Sequence, residues 1–223
     1  MSKDLLSEID KDHFRERLSK YTRRAYQMLP KIESPHILDV GCGSGVPTIE
    51  LAKLSDGEIV GIDINQSLLD KLDRKIEEEG FSDRVKIKKC SLFEIDFPDE
   101  SFDIIWAEGS IWLIGFEKGL REWRRLLKPT GFLVVHDEIK TVSNKLKKIA
   151  SCGYKLVNCF SLPEDAHWTE YYRPLEIRIK ELYTKYKNSS EALQILKKHQ
   201  EEIDTVKRNT KEHSSAFYIM RKL

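Results

Sequence analysis

Cysteine is scarce: the 223 residues hold four, at Cys42, Cys90, Cys152 and Cys159, and no two have CxxC spacing. That excludes a disulfide-stapled scaffold and argues for reduced thiols in a cytoplasmic protein. The six histidines are scattered, so no metal-ligand cluster is expected. Long apolar runs are also missing: none reaches the roughly 18–20 residues that a bilayer-spanning helix needs. The opening MSKDLLSEIDKDH alternates charge too often to read as a signal peptide, so no membrane partner is expected. Excess charge of one sign is lacking too, since 38 Lys+Arg against 37 Asp+Glu leave +1. A protein that tracks phosphate backbones ordinarily carries a basic excess, so nucleic acid is not the expected partner. Internal repeats and low-complexity segments are absent.

What remains is a chain with 34 % charged and 40 % hydrophobic residues, long enough for one large core. Residues 1–34 read as a helical cover, with Phe14, Leu18, Tyr21, Ala25 and Leu29 at helical intervals before Pro30 and Pro35. Over 35–140 short apolar runs alternate with helical patterns. The strands expected there are 36–40, 58–63, 84–90, 102–107 and 132–135, and the helices are 46–54, 67–79 and 117–127. Residues 128–131 (Lys-Pro-Thr-Gly) read as a break between helix and strand. Strands apolar on both faces, separated by helices, predict a doubly wound, mostly parallel α/β sheet. Residues 141–223 depart from that rhythm: a helix at 143–151, a strand at 154–160, one long charged helix over 176–208 and a last strand at 216–220. An antiparallel pair at that edge is expected.

Three of the eleven glycines fall in Gly41-Cys-Gly-Ser-Gly45, directly after a strand and before a helix. Such a turn lets a ligand approach the backbone, and a helix N-terminus offers unpaired N–H groups. Val46 stands where a dinucleotide fingerprint has its third glycine, and no Gly-Lys-Ser/Thr follows, which excludes a triphosphate loop. Asp63 ends the second strand, where a carboxylate can hold both hydroxyls of a ribose or make an ordinary turn bond. Asp39 ends the first strand and can hold the loop or meet an amino group.

The segment Ile37-Leu-Asp-Val-Gly-Cys-Gly-Ser-Gly45 resembles the first motif of class I S-adenosylmethionine-dependent methyltransferases of the small-molecule type. Gly61-Ile-Asp63, Phe97-Pro-Asp-Glu-Ser-Phe-Asp103 and Leu126-Leu-Lys-Pro-Thr-Gly131 resemble its later motifs, in order, over about residues 35–140. The resemblance implies a seven-stranded sheet of order 3-2-1-4-5-7-6 with strand 7 antiparallel, and S-adenosylmethionine as cofactor, released as S-adenosylhomocysteine. It implies that 35–140 binds the cofactor and that 141–223 faces the substrate. Gly41, Cys42, Gly43 and Gly45 would lie at the methionine end of the cofactor, with Asp39 beside them. Asp63 would hold the ribose and Ile64 would pack on the adenine. Ser91 and Leu92 stand where the family often has an acid for the adenine amino group; Ser91 is a weaker acceptor or a plain turn residue.

The acceptor is expected beyond the strand ends, near Trp106–Trp112 and Val135–Glu138. Glu108 is the first candidate, for contact with the cofactor or for a proton or hydrogen bond from the acceptor. His136 is the natural general base, with an unperturbed pKa of about 6.5. Asp137 or Glu138 could anchor a cationic substrate, although one of the two must point away if the strand continues. Trp112, Trp168 and Tyr172 offer aromatic faces, the last two within 165–172, expected as a loop where a substrate lid would lie. The helix over 176–208 serves as a cover or as a dimer face, so monomer and homodimer both stand. Neither Asn/Asp-Pro-Pro-Tyr nor Pro-Cys follows the fourth strand, which favours a small-molecule methyl acceptor over nucleic acid. Lys140, Lys145, Lys147 and Lys148 form the patch that would serve RNA instead. An RNA or protein methyltransferase, a nicotinamide oxidoreductase and a non-catalytic S-adenosylmethionine-binding module are the rival readings.

Overall fold

The computed structural model describes residues 2–139, 142–210 and 214–223. The chain begins with α1 (Ser2–Ile9), α2 (Lys11–Arg15), a 3-10 turn (Glu16–Leu18) and α3 (Ser19–Gln27). Next come β1 (His36–Val40), α4 (Val46–Leu54), β2 (Glu58–Asp63), α5 (Gln66–Glu78), β3 (Val85–Lys89) and β4 (Phe102–Glu108). They are followed by α6 (Phe116–Trp123), β5 (Leu127–Glu138), α7 (Val142–Ser151) and β6 (Tyr154–Ser161). A π-helix (His167–Tyr172), α8 (Arg173–Lys185), α9 (Ser190–Arg208) and β7 (Ser215–Lys222) complete it. Two compact units result: a sheet unit of residues 20–161 and 215–223, and a helical unit of 1–19 and 162–214.

In the sheet unit the strand order is β3-β2-β1-β4-β5-β7-β6. The first five strands are parallel, and β7 runs antiparallel to both β5 and β6, as the sequence led us to expect. Register partners share a face, so pairing sorts the side chains. One face carries Asp39, Trp106, Val134, Ile219, Glu108, His136, Phe217 and Phe160. The other carries Leu38, Ile105, Ala107, Leu133, Val135 and Tyr218, which pack with Leu120 and Trp123 of α6 and Ile149 of α7 in the main core. Each valine, leucine or isoleucine side chain so buried contributes roughly 1.5–3 kcal/mol.

Local chemistry sets the ends of the elements. Asn65 caps α5 by accepting from the Ser67 N–H at 3.0 Å, and Gly80 (φ 74°) ends it as Phe81 N–H returns to the Ile76 carbonyl at 2.8 Å. The helix expected over 117–127 stops at Trp123, and Leu127 already belongs to β5. The break expected at 128–131 is instead the start of that long strand: Pro129 closes no element, and Thr130 absorbs the irregularity with φ 63°.

The helical unit corrects two further expectations. The single helix over 176–208 is two, because Ser189 starts a new one by accepting from Ala192 N–H at 3.3 Å. The loop expected at 165–172 is helical, since His167–Tyr172 winds as a π-helix that runs straight into α8. Leu5, Ile9, Phe14, Tyr171, Leu175, Ile179, Leu182, Leu196 and Ile203 form this unit's own core.

Candidate active site

The loop after β1 is shaped by three left-handed glycines, with φ of 74° at Gly41, 55° at Gly43 and 83° at Gly45. They are glycine for different reasons. A Cβ at Gly41 would stand 2.5 Å from Ser110 Cβ, and one at Gly45 would stand 2.1 Å from Leu72 Cδ1. At Gly43 the nearest neighbour would be Leu68 Cδ1 at 4.0 Å, so its Cβ-free side opens onto unfilled space. Four N–H groups of the loop are already engaged. Gly41 and Cys42 both donate to the Ile62 carbonyl (2.8 and 3.0 Å), Gly45 donates to Cys42 (2.9 Å), and Gly43 donates to Asp63 Oδ2 (3.0 Å). Those four N–H groups are therefore not available to a ligand.

Asp63 makes the turn bond considered from the sequence, accepting from Asn65 N–H at 2.8 Å through Oδ1, as well as the loop bond through Oδ2. Each oxygen keeps a second lone pair for another donor. Ile64 beside it is 67 % exposed, an apolar side chain standing in the open next to the loop. The Cys42 side chain is buried against Gly61, where burial pushes the thiol up. Asp39 is buried and accepts from Thr48 Oγ1 at 2.6 Å, which ties β1 to the first turn of α4. Burial pushes its carboxyl up to about 7. Ser91 Oγ accepts from Phe93 N–H at 3.2 Å, and the Leu92 carbonyl accepts from Trp123 Nε1 at 3.3 Å, so both hold the turn after β3.

Glu108 ends β4 on the same face as Asp39. It accepts from Trp106 Nε1 at 2.7 Å and bonds the Thr22 hydroxyl. Desolvation outweighs those bonds and pushes its carboxyl up to about 7. His136 is Glu108's register partner on β5. Its Nε2 lies 2.8 Å from Ser215 Oγ, and its ring stacks on Phe217 at 4.6 Å. Phe217 stacks on Phe160 at 5.3 Å, and the Arg24 guanidinium sits 4.1 Å over Phe160. Helix α3 thus meets this face twice, with Thr22 on Glu108 and Arg24 on Phe160, while Arg23 between them bonds Glu50 of α4 (2.9 Å).

Sequence reasoning missed Thr22, Arg23, Ser110, Ser215 and Phe217. Their contacts are remote in the chain, and only the Trp106–Glu108 pair, two apart on a strand, was readable in advance. Asp137 is a correction. It points to the opposite face, where Lys145 Nζ holds its Oδ2 at 2.6 Å with both side chains buried. Strand alternation leaves Glu138, not Asp137, on the face of His136. The same pair takes Lys145 out of the basic patch; Lys148 meets Glu117 at 3.3 Å, Lys147 is exposed, and Lys140 lies outside the described residues.

Trp112 is 63 % exposed, with its Nε1 donating to the Gly109 carbonyl at 2.9 Å. Trp168 and Tyr172 sit in the π-helix of the helical unit, and part of their chemistry is already in use. Lys207 Nζ lies 5.3 Å over the Trp168 ring, and Tyr172 OH meets Glu202 at 3.3 Å. No group of metal-ligating side chains occurs among the described residues, and no helix there is long and apolar enough to cross a membrane.

The strand order, the glycine loop at the switch between β2 and β4, and the carboxylate closing β2 define a class: the class I S-adenosylmethionine-dependent methyltransferase fold. Residues 37–131 match the methyltransferase domain family. It is 36 % identical to sterol 24-C-methyltransferase erg6 of Aspergillus fumigatus over 118 residues, 52 % of this chain and 31 % of that one. It is 29 % identical to 27-O-demethylrifamycin SV methyltransferase of Amycolatopsis mediterranei, over 70 % of this chain and 60 % of that one. This chain thus spans less than two thirds of either relative. A methyltransferase of Geobacter sulfurreducens, solved with S-adenosyl-L-homocysteine, superposes with TM-score 0.74 at 17 % identity, covering 93 % of this chain and 91 % of that one. The [4+2]-cyclase SpnF superposes with TM-score 0.75 at 19 % identity, covering 92 % and 80 %.

Proposed function

We propose that this protein transfers a methyl group from S-adenosylmethionine to a small-molecule acceptor. The observation that carries the reading is the open, Cβ-free side of Gly43, held by Asp63 at the switch point of the sheet. A cofactor backbone can lie against that surface, and the unused lone pairs of Asp63 suit a ribose diol. Ile64 supplies an apolar face for the base, with Ser91 and Leu92 beyond it. Bound S-adenosylmethionine supplies a methyl group made electrophilic by a sulfonium charge.

The chain's own part is placement and protons. Glu108 and His136 share one face at the ends of β4 and β5, so an acceptor lying there meets both. A carboxyl near 7 exchanges its proton readily at neutral pH, and either residue can take a proton from an acceptor that carries one. An acceptor without a labile proton needs only alignment, which can itself supply several kcal/mol. Trp112 belongs to the proposal as an acceptor contact, as does a cytoplasmic location, supported by four free thiols.

Calorimetry with S-adenosylmethionine, S-adenosylhomocysteine and NADH tests the first step. The two sulfur compounds should bind and NADH should not. Asp63→Ala should weaken binding by on the order of 1–3 kcal/mol through lost ribose bonds. Methyl-labelled cofactor should then mark a small-molecule fraction of cell metabolites rather than RNA. Binding of NADH alone overturns the reading. The likeness to a cyclase favours a second reading, a methyltransferase fold that binds the cofactor and does other chemistry. Tight binding with no methyl turnover on any acceptor would decide for it.

A further inference from the structure

The helical unit has a cleft of its own that the methyl-transfer reading does not use. About 510 Å³ in volume, it lies between α8 and the segment Phe14–Arg17. Its floor is apolar, with Phe14, Pro174 and Ile177, and Ile177 is 56 % exposed. Its rim is cationic, with Arg17, Arg173 and Arg178. Helical spacing explains the arrangement: Arg173 and Ile177 stand four apart on one row of α8, and Pro174 and Arg178 four apart on the next.

The three guanidiniums are not equivalent. Arg178 is committed: its Nε donates to the Glu8 carbonyl at 2.8 Å and its Nη1 meets Glu181, the one acid on the rim, at 3.1 Å. Among the described residues neither Arg17 nor Arg173 has a carboxylate within ion-pair reach, and Arg17 instead lies 5.6 Å over the Phe14 ring. Two uncompensated cations therefore flank an exposed apolar surface. A guanidinium is the side chain best suited to grip a carboxylate or phosphate with two parallel bonds. The cleft volume lies in the usual range for small ligands.

We propose that this cleft binds a small organic anion with a hydrocarbon body, its phosphate or carboxylate between Arg17 and Arg173 and its chain along Phe14 and Ile177. Neither surface alone accounts for the other: a purely anionic ligand leaves Ile177 wet, and a purely apolar one leaves both cations unanswered. The site is independent of the cofactor reading and stands or falls without it.

Calorimetric titration with n-hexyl phosphate is the test, with hexanol and inorganic phosphate as the two halves of the probe. Hexyl phosphate should bind one to one and saturably, at least about tenfold more tightly than either half. The exposed double substitution Arg17→Ala/Arg173→Ala should weaken binding about tenfold or more with the melting temperature kept, and Ile177→Ser should weaken it less. Phosphate binding as well as hexyl phosphate, binding unchanged in the double variant, or no saturable binding overturns the proposal. So does arginine-dependent retention on anionic phospholipid vesicles without binding of the monomeric probe, which would make this a membrane-facing patch.

Discussion

Replacing Gly43 and Gly45 by alanine, one at a time, should separate binding from stability. At Gly43 the added Cβ meets nothing closer than 4.0 Å. The cost is then the left-handed backbone alone, roughly 1–2 kcal/mol for an L-residue. About 0.4–1 kcal/mol is recovered because alanine restricts the unfolded chain. The net loss is about 1 kcal/mol, or about 2–4 °C of melting temperature for a chain this size. At Gly45 the same backbone cost is joined by a Cβ placed 2.1 Å from Cδ1, 2.9 Å from Cγ and 3.1 Å from Cδ2 of Leu72. Leu72 is fully buried, so its whole side chain must move inside a packed core, which adds roughly 1–3 kcal/mol. Gly45→Ala should therefore melt about 10 °C lower. For S-adenosylhomocysteine the contrast should appear in the opposite variant. Gly43→Ala fills the space a ligand would use while the chain stays folded, so affinity should drop at least about tenfold. Differential scanning calorimetry and isothermal titration on the two variants read both quantities. A Gly43→Ala protein that binds S-adenosylhomocysteine as tightly as the parent would refute the placement of the ligand. Equal melting temperatures for the two variants would refute the packing account of Gly45.

Asp39 and Glu108, both pushed up to about 7 by burial, hold protons in the folded chain that the unfolded chain releases near pH 4. The folded state then binds more protons between about pH 4 and 7, so stability falls as pH rises through that window. For Asp39 the effect reaches on the order of 4 kcal/mol at most. An Asp39→Asn/Glu108→Gln double variant should flatten the decline in melting temperature from pH 5 to pH 8; an unchanged slope would contradict it. Lys145→Met strands the buried Asp137 charge and should cost about 3–5 kcal/mol in urea unfolding. Affinity for S-adenosylhomocysteine should stay as it was, and a loss at full stability would return Asp137 to the site. Thr130, β-branched and exposed at φ 63°, stands in a conformation that suits glycine. Thr130→Gly should raise stability by about 0.5–1 kcal/mol in the same assay.

The sheet was legible because its signals are local and redundant. Five apolar runs, all but the third followed by a helical pattern, leave little choice but parallel strands, and the glycine loop fixes which comes first. The misreadings share a cause. At 128–131 proline and glycine looked like punctuation, yet a strand entering from a 3-10 turn tolerates both where a single positive φ takes up the bend. Over 176–208 the charged pattern breaks only briefly, at Asn188-Ser189-Ser190, and the capping bond of Ser189 to Ala192 marks the new start there. The π-helix at 167–172 had no signal at all, because its aromatic and polar residues suit a loop equally well.

The site divides along the same line. Which residues stand near it was readable from the strand ends, but which face each one takes depends on strand parity. Parity settles only when a register partner is known. His136 and Asp137 are equal candidates by chemistry. The pairing of Glu108 with His136 makes them unequal, since it puts the histidine beside the carboxylate and turns Asp137 toward Lys145. Buried Asp137 is paired with Lys145 at 2.6 Å, and a lysine so engaged is useless to RNA. One long-range pairing thus removes a substrate anchor and takes Lys145 out of the basic patch together. It also leaves exposed Glu138 as the acid with which a cationic acceptor on that face would have to contend.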